Sequence, residues 1–314
     1  MKKATEVHLS LAGGLGNQIF QLAAALSLTE GPVYVYDHVG NARRDSNNNI
    51  EIFNLNLPKR VINRESRKTN FVLKRLVNYA FRTSADGKKE SFNFLKFRPL
   101  SLILSRTISH YIGKKVRIII AEGIGHFDID PGANAVYLVG YFQSFHWAKY
   151  FSGKHGLFDL NAFSNKGFLP FNQSTRISNV LAVHVRLGDY KHETSFGCLG
   201  KKYYESALEN ITSKSRINEI WLFSDEPLVA IEYIPQKYHE IVKVVPEAST
   251  VETIHLMSLA DSYIIANSTF SWWGAYLSAN PNPTVLAPEN WFKHLNSPEG
   301  ILSPDWKTLN SSFD

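Results

Sequence analysis

The chain has 314 residues, 44% of them hydrophobic and 20% charged, the balance of an ordinary globular protein. That excludes disorder, collagen-like and coiled-coil readings of the whole chain, and the length allows two domains or one large one. The formal net charge of +6 permits an anionic partner such as a nucleotide, a lipid phosphate or a membrane surface, without demanding one.

The first residues, MKKATEVHLSLAGGLGNQIF, start basic and turn apolar, which raises the question of a signal peptide. Glu6 and His8 interrupt the apolar run, so EVHLSLA reads as a first strand over Val7–Ala12. Gly13-Gly14-Leu15-Gly16 is a turn, and Asn17–Leu28 a helix stopped by Gly31-Pro32. Val33–Tyr36 is the next strand, ending at Asp37. This is one β-α-β unit, the building block of a parallel sheet.

No apolar run reaches the ~18 residues needed to span a bilayer, so the expected location is the cytoplasm. Between Lys59 and Arg75 there are seven Lys/Arg and one acid, Glu65. Further basic residues run on to Arg117, interleaved with Phe71, Leu73, Leu76, Val77, Phe92, Phe94 and Phe97. The plain reading is amphipathic helices with a solvated basic face. The sharper one is a surface that approaches anionic lipid headgroups or a lipid-diphosphate-linked acceptor. No nucleic-acid-binding signature accompanies the charge.

Val136–Val139 reads as a strand, followed by Gly140-Tyr-Phe-Gln143. A polar stretch from about Ser152 to Ser178 carries the expected boundary, giving domains over 1–165 and 166–314. The second half alternates strands and helices: strands at Val180–Val185, Glu219–Phe223, Ile241–Val245, Asp261–Ala266 and Thr284–Ala287, and helices at Lys202–Thr212, Thr250–Leu259 and Phe270–Ser278. Five strands alternating with helices predict a doubly wound parallel α/β sheet, in which ligands bind at the carboxyl ends of the strands. The polar clusters lie at those ends.

Four clusters carry chemistry. Gly14-x-Gly16 with Asp37 looks like a dinucleotide-binding fingerprint, but Ile19 stands where the third glycine belongs. His184-Val-Arg186-Leu-Gly-Asp189-Tyr190 puts a guanidinium just past a buried strand, where it can clamp a phosphate. His184 is on the same strand face as Arg186, and Asp189 can orient the arginine or meet a hydroxyl. The plain alternative is a structural ion pair. Asn267-Ser268-Thr269-Phe270-Ser271-Trp-Trp-Gly274 opens a helix with several hydroxyls and unpaired amides, an anion cradle; the alternative is ordinary N-capping with the Trp pair as core. Ser224-Asp225-Glu226 closes a strand with acids that suit ribose or base edges, or else forms a solvated turn.

Two patterns are decoys. Asp128-Ile-Asp130 has the spacing of metal-dependent sugar transferases but sits in a loop before Pro131, and Asn210-Ile-Thr212 matches a glycosylation acceptor that matters only in a secreted protein. Cys198 is the only cysteine, so no internal disulfide forms, no Cys/His cluster has zinc spacing, and the thiol reads as a small buried side chain.

Together these residues resemble the α-1,2-fucosyltransferases of glycosyltransferase family 11. The resemblance rests on Gly13-Gly-Leu-Gly-Asn-Gln18 with Phe20, on His184–Tyr190 and on Asn267–Ala275, with Phe223–Glu226 as support. Their order spans nearly the whole chain. Many members carry two consecutive arginines in the second motif; here Leu187 takes the second place and leaves Arg186 alone.

The resemblance implies a GT-B architecture, two Rossmann-like domains with parallel sheets facing across a cleft. It implies GDP-β-L-fucose as donor, inversion at the anomeric carbon, and no cofactor or metal. Arg186 would meet the diphosphate, and Ser268, Thr269, Phe270 and Ser271 the phosphate or nucleotide. Ser224, Asp225, Glu226 and Glu252 would lie near ribose or guanine. His184 and Asp189 are the candidates for a general base. Gly14, Gly16, Asn17 and Gln18 would come from the acceptor side.

The implied acceptor is a galactose-terminated oligosaccharide, with a lipid-linked glycan at the inner membrane face as the form that the basic stretch suits. The competing readings are a nicotinamide-dependent oxidoreductase, from the first β-α-β unit and Asp37, and a carbohydrate-binding or inactive relative.

Overall fold

In the computed structural model, residues 3–36, 50–64, 75–81, 98–151, 168, 170–171, 179–193 and 195–314 are described. The chain divides into two compact units. Unit 1 comprises Met1–Gly153 with Pro298–Ile301, and unit 2 comprises Lys154–Ser297 with Leu302–Asp314. The expected boundary at 165/166 falls outside the described residues, as do Asp37, Phe71, Leu73, Phe92, Phe94 and Phe97. Pro298–Ile301 belong to unit 1, where Glu299 and Gly300 carbonyls accept from His126 N and Phe145 N at 2.9 Å each. The sequence reading put this segment in the second domain.

Unit 1 begins with β1 (Glu6–Ser10), α1 (Leu15–Leu28) and β2 (Val33–Tyr36). Three further strands are β3 (Val61–Asn63), β4 (Arg117–Ile120) and β5 (Ala135–Val139), with helix α2 (Arg98–Ile112) before β4. The sheet is parallel in the order β3-β2-β1-β5-β4. Strand β5 is buried at every residue, and only Glu6 of β1 is not buried, as expected for a parallel sheet covered on both faces. Helix α1 buries Ile19, Phe20 and Ala23–Ala25. The small alanine side chains let its backbone approach its neighbours closely. The stretch read as amphipathic helices does contain α2 and a helical segment at 75–81; β3 and β4 were missed.

Unit 2 runs β6 (Val180–Val185), α3 (Lys201–Thr212), β7 (Glu219–Ser224), β8 (Val242–Val244), α4 (Thr250–Ser258), β9 (Ser262–Ile264), α5 (Thr269–Tyr276), β10 (Thr284–Pro288) and β11 (Lys307–Leu309). All five strands read from the sequence are present, and β11 is a sixth. The sheet is parallel in the order β11-β10-β9-β6-β7-β8. Numbered from its own first strand that is 6-5-4-1-2-3, the doubly wound nucleotide-binding order. The order reverses between β6 and β9. Both sheets therefore match the expected α/β class.

The Trp pair lies in the core. Trp272 and Trp273 are fully buried, and Trp272 stacks on Tyr276 with ring centroids 4.8 Å apart. Gly274 sits where a Cβ would come within 2.2 Å of Met257 Sδ, so α5 and α4 pack tightly there. Among the described residues no helix is long and apolar enough to cross a membrane.

Candidate active site

In a doubly wound sheet the crevice for a ligand opens where strand order reverses, beyond the carboxyl ends. In unit 2 that is the gap between β6 and β9. Strand β6 delivers Arg186 there, and β9 delivers Asn267 and the opening turn of α5. A hydrogen bond ties the two loops together: Tyr190 Oη donates to the Asn267 carbonyl oxygen at 3.2 Å.

Arg186 is held on three sides. Its Nη2 donates to Asp189 Oδ1 at 2.6 Å, its Nη1 lies 3.0 Å from Asp225 Oδ2, and its Cζ is 5.2 Å from the centre of the Tyr190 ring. Burial works against its charge, but Asp225 and Asp189 outweigh that and raise its pKa. Asp225 also accepts Leu187 N on Oδ1 at 3.0 Å, so one carboxylate clamps both the main chain and the guanidinium. Gly188 makes this possible, since a Cβ there would lie 2.3 Å from Asp225 Oδ2. The single arginine is thus stiffened by neighbours. Leu187, in the place of a second arginine, is buried in the core under α3.

Three buried polar atoms in this region have no partner among the described residues: His184 Nδ1, Arg186 Nε and Asn267 Oδ1. Such orphans are rare in folded proteins and carry a desolvation cost of about 1–3 kcal/mol each. His184 is 4% exposed, with its ring 5.4 Å from that of Phe270. Burial, and then the charge on Arg186, push its pKa down to about 3. The ring is therefore neutral at physiological pH and poorly matched to a general base, whose pKa should lie near the working pH. Asp189 is the more accessible of the two base candidates, at 42% side-chain exposure.

Several predicted contacts are spent on the chain itself. Ser268 Oγ accepts Phe270 N at 3.4 Å as the helix cap. Ser271 is fully buried, and its hydroxyl donates to the Ser268 and Ala266 carbonyls. Of the expected three converging hydroxyls, those of Ser268 and Ser271 serve the chain itself, and Thr269 is half-buried at the start of α5. Ser224 Oγ accepts Glu226 N at 3.0 Å, and Glu226 is paired with Lys191. Glu252 closes a capping box with Ser249 at the start of α4. Cys198 is buried, with its thiol toward the Leu187 carbonyl.

The sequence reading quoted Asn267 and Tyr190 in motifs without giving either a place in the site. Asn267 is 1% exposed. Its Nδ2 donates to the Phe196 and Gly197 carbonyls, which fixes its Oδ1 as the orphan. Only the pairing of β6 with β9 reveals that this side chain and Tyr190 share one crevice.

In unit 1 the Gly-rich turn connects β1 to α1. Gly13 has φ +77°, and a Cβ there would lie 2.4 Å from Asn17 Nδ2. Gly16 is buried in α1, while Gly14 is exposed. Gln18 Nε2 donates to the Gly13 carbonyl and its Oε1 accepts Ile52 N, so Gln18 ties the turn to the chain at residue 52. Gln21 grips both the N–H and the carbonyl of Ala12 at 3.0 Å. Among the described residues no cluster of three or more His, Cys, Asp or Glu side chains could hold a metal ion. Asp128 and Asp130 are exposed in a loop, and Asp130 Oδ1 accepts Gly132 N.

A family model described as glycosyl transferase family 11 matches residues 6–310. The chain belongs to glycosyltransferase family 11. Within reach of this family, an alpha-1,2-colitosyltransferase of Escherichia coli is 28% identical over 314 residues, covering 91% of this chain and 93% of that protein. The O-antigen biosynthesis glycosyltransferase WbnK of Escherichia coli is 33% identical over 138 residues. That match covers 42% of this chain and 45% of WbnK, so the chain spans less than half of that relative. The crystal structure of fucosyltransferase NodZ from Bradyrhizobium is 12% identical, with a TM-score of 0.48 and coverage of 95% of this chain and 100% of that one.

Proposed function

We propose that this chain transfers L-fucose from GDP-β-L-fucose to the 2-hydroxyl of a galactoside, with inversion and without a cofactor or metal. The observation that carries the donor half is the convergence in unit 2: Arg186 and the opening turn of α5 emerge from neighbouring strands at the reversal point and are tied through Tyr190 and Asn267. A cation beside the N-terminal end of a helix suits a diphosphate.

In the displacement, the acceptor oxygen forms a bond to the fucose anomeric carbon as the bond to GDP breaks. The electron pair leaves on the diphosphate, where Arg186 and the positive N-terminal end of α5 stabilise it. The acceptor proton passes to a base, and the accessible carboxylate of Asp189 suits that role better than the neutral imidazole of His184. To face a diphosphate, Arg186 shares its charge between the nucleotide and its two carboxylates. Asp225, which also holds Leu187 N, is the fixed partner and Asp189 the exchangeable one.

The acceptor half rests on the resemblance, and the name of the WbnK relative favours a glycan of the O-antigen class. A lipid-linked acceptor at the cytoplasmic membrane face is supported by the exposed Leu102 and Ile103 beside Arg106 on α2. A second reading of the donor follows from the colitosyltransferase relative. Colitose is fucose without its 3-hydroxyl, so only a site that hydrogen-bonds that hydroxyl separates the two strongly.

The test is a thermal shift with GDP, UDP or NAD, each in EDTA. Stabilisation by GDP alone is expected. Transfer to a β-galactoside is then compared for GDP-fucose and GDP-colitose. Stabilisation by NAD, or by none of the three nucleotides, would overturn the donor assignment.

A further inference from the structure

Unit 1 has a reversal point of its own. Its sheet order changes direction between β1 and β5, so the loops that follow those two strands flank one crevice. The loop after β1 is the Gly-rich turn with Asn17. The loop after β5 is Gly140–Ser144, which no predicted role has used. We infer that Gln143 in this loop is a specificity-determining residue, whose Oε1 accepts a hydrogen bond from a hydroxyl of the acceptor sugar; this deepens the glycosyl-transfer reading above and rests on it.

The loop is built to aim that side chain. Phe142 has φ +52°, a left-handed conformation that is rare for an aromatic residue and costs about 1–3 kcal/mol. It persists because the Phe142 ring is fully buried against Phe127 and Trp147. The next residue is then fixed twice. Gln143 N donates to the Ile124 carbonyl at 2.7 Å, and Gln143 Nε2 donates to Asn17 Oδ1 at 2.9 Å.

In the structure the Gln143 amide turns its nitrogen to Asn17. With Nε2 committed to Asn17, Oε1 is the remaining lobe, and no donor meets it among the described residues. Gln143 is only 8% exposed. The side chain is largely buried but this oxygen is not enclosed, so a ligand hydroxyl can reach it, and a ligand that covers it without donating leaves it unpaired. Gln18, one residue along from Asn17, has both ends of its amide bound to main chain and offers nothing comparable.

The experiment uses the full chain with GDP-fucose and a β-galactoside. Transfer by the native protein is measured first, with GDP-colitose in parallel. Transfer from neither donor overturns the reading above and this inference with it. Given transfer, Gln143→Ala and the larger Gln143→Leu are expected to raise the acceptor KM about tenfold, or about 1.4 kcal/mol. The donor KM and the GDP-induced thermal shift should stay at native values, which also shows that the variants are folded. Galactosides lacking one hydroxyl each complete the test. One of them should bind the native protein about tenfold worse and lose nothing further against Gln143→Ala. An unchanged acceptor KM in both variants overturns the role of Gln143 alone. So does a native protein for which no single deoxygenation raises the acceptor KM more than threefold, a result that stands even if neither variant folds.

Discussion

Each unit carries a histidine on an inner strand of its parallel sheet, and the two are treated in opposite ways. His8 on β1 is 2% exposed and fully engaged: Nε2 meets Glu6 at 2.7 Å and Nδ1 meets the Tyr36 hydroxyl at 2.9 Å. Glu6 is in turn paired with Lys114 at 2.9 Å. Close by, Ser10 and the buried Tyr137 hydroxyl are joined across β1 and β5. His184 on β6 is equally buried, yet its Nδ1 has no partner among the described residues, and neither do Arg186 Nε or Asn267 Oδ1 beside it. A satisfied buried network stiffens a fold and is explained by folding alone. A group of orphaned polar atoms at a carboxyl edge is a cost left uncompensated by the described residues, and it suits a site proposed to take a polar ligand.

The largest expected effect concerns the charged member of the orphan group. Arg186→Ala should lower turnover by roughly a hundredfold or more, the scale seen when one preorganised stabiliser of developing charge is removed. The melting temperature should stay close to native, because Arg186 is partly exposed and its carboxylate partners regain water. Near-normal turnover with GDP-fucose would remove Arg186 from the mechanism.

The histidine pair tests the comparison directly. His8→Leu strips a buried partner from both Glu6 and Tyr36 and should cost on the order of 2–3 kcal/mol of unfolding free energy. His184→Leu removes an imidazole whose Nδ1 has no partner among the described residues, and should change stability by less than about 1 kcal/mol while turnover falls. Chemical denaturation of both variants decides it. Equal losses would show that His184 is as structural as His8.

A pH series sharpens the same point. The folded-state pKa of His184 lies near 3, below its ordinary value of 6.5. Between those values the unfolded chain binds the proton and the folded chain does not, so stability rises with pH there. The contribution is complete above about pH 6.5 and is lost as pH falls toward 3. From pH 7.5 to pH 5, native protein should lose about 2 kcal/mol more than His184→Leu. His8 and His255 are shifted downward too, and taking the difference between native and variant removes their share.

How much of this was readable from sequence depends on the range of the interaction that matters. Strands such as Val33–Tyr36 and Val180–Val185 were found to the residue, because a short β-branched and aromatic run between turn signals is a local feature. Arg186, Asp189 and Asp225 stand out as candidates in the sequence because each sits next to a strand end. Their mutual clamp does not, since Asp225 reaches Leu187 N across 38 residues. Short strands β3, β4 and β11 carry three or four residues each and leave little periodicity to read. Gln143 looked like one polar residue after a strand. Its importance appears only when β5 is seen to pair with β1. The three hydroxyls of Ser268–Ser271 were overread because residue type does not reveal that Ser271 turns inward.

The Gly-rich turn shows the same limit at the smallest energy scale, and it carries the last expected outcome. In sequence, Gly13 and Gly14 form one motif. In the structure Gly13 has a positive φ and faces Asn17, so any side chain there is both strained and crowded. Gly14 caps α1 with φ −68° and ψ 174°, makes no side-chain cap bond, and a Cβ there would meet nothing within 4 Å. That backbone is the one serine adopts as an N-cap, and a serine hydroxyl could accept an amide of the first turn of α1. Gly14→Ser should therefore raise stability by a few tenths of a kcal/mol, from the cap and from a less flexible unfolded chain. Gly13→Ser should destabilise by more than 1 kcal/mol. Denaturant midpoints for the two variants, differing by one position in the chain, should move in opposite directions. Movement in the same direction would mean that the turn is held as a unit and that its first glycine has no special place in supporting Asn17.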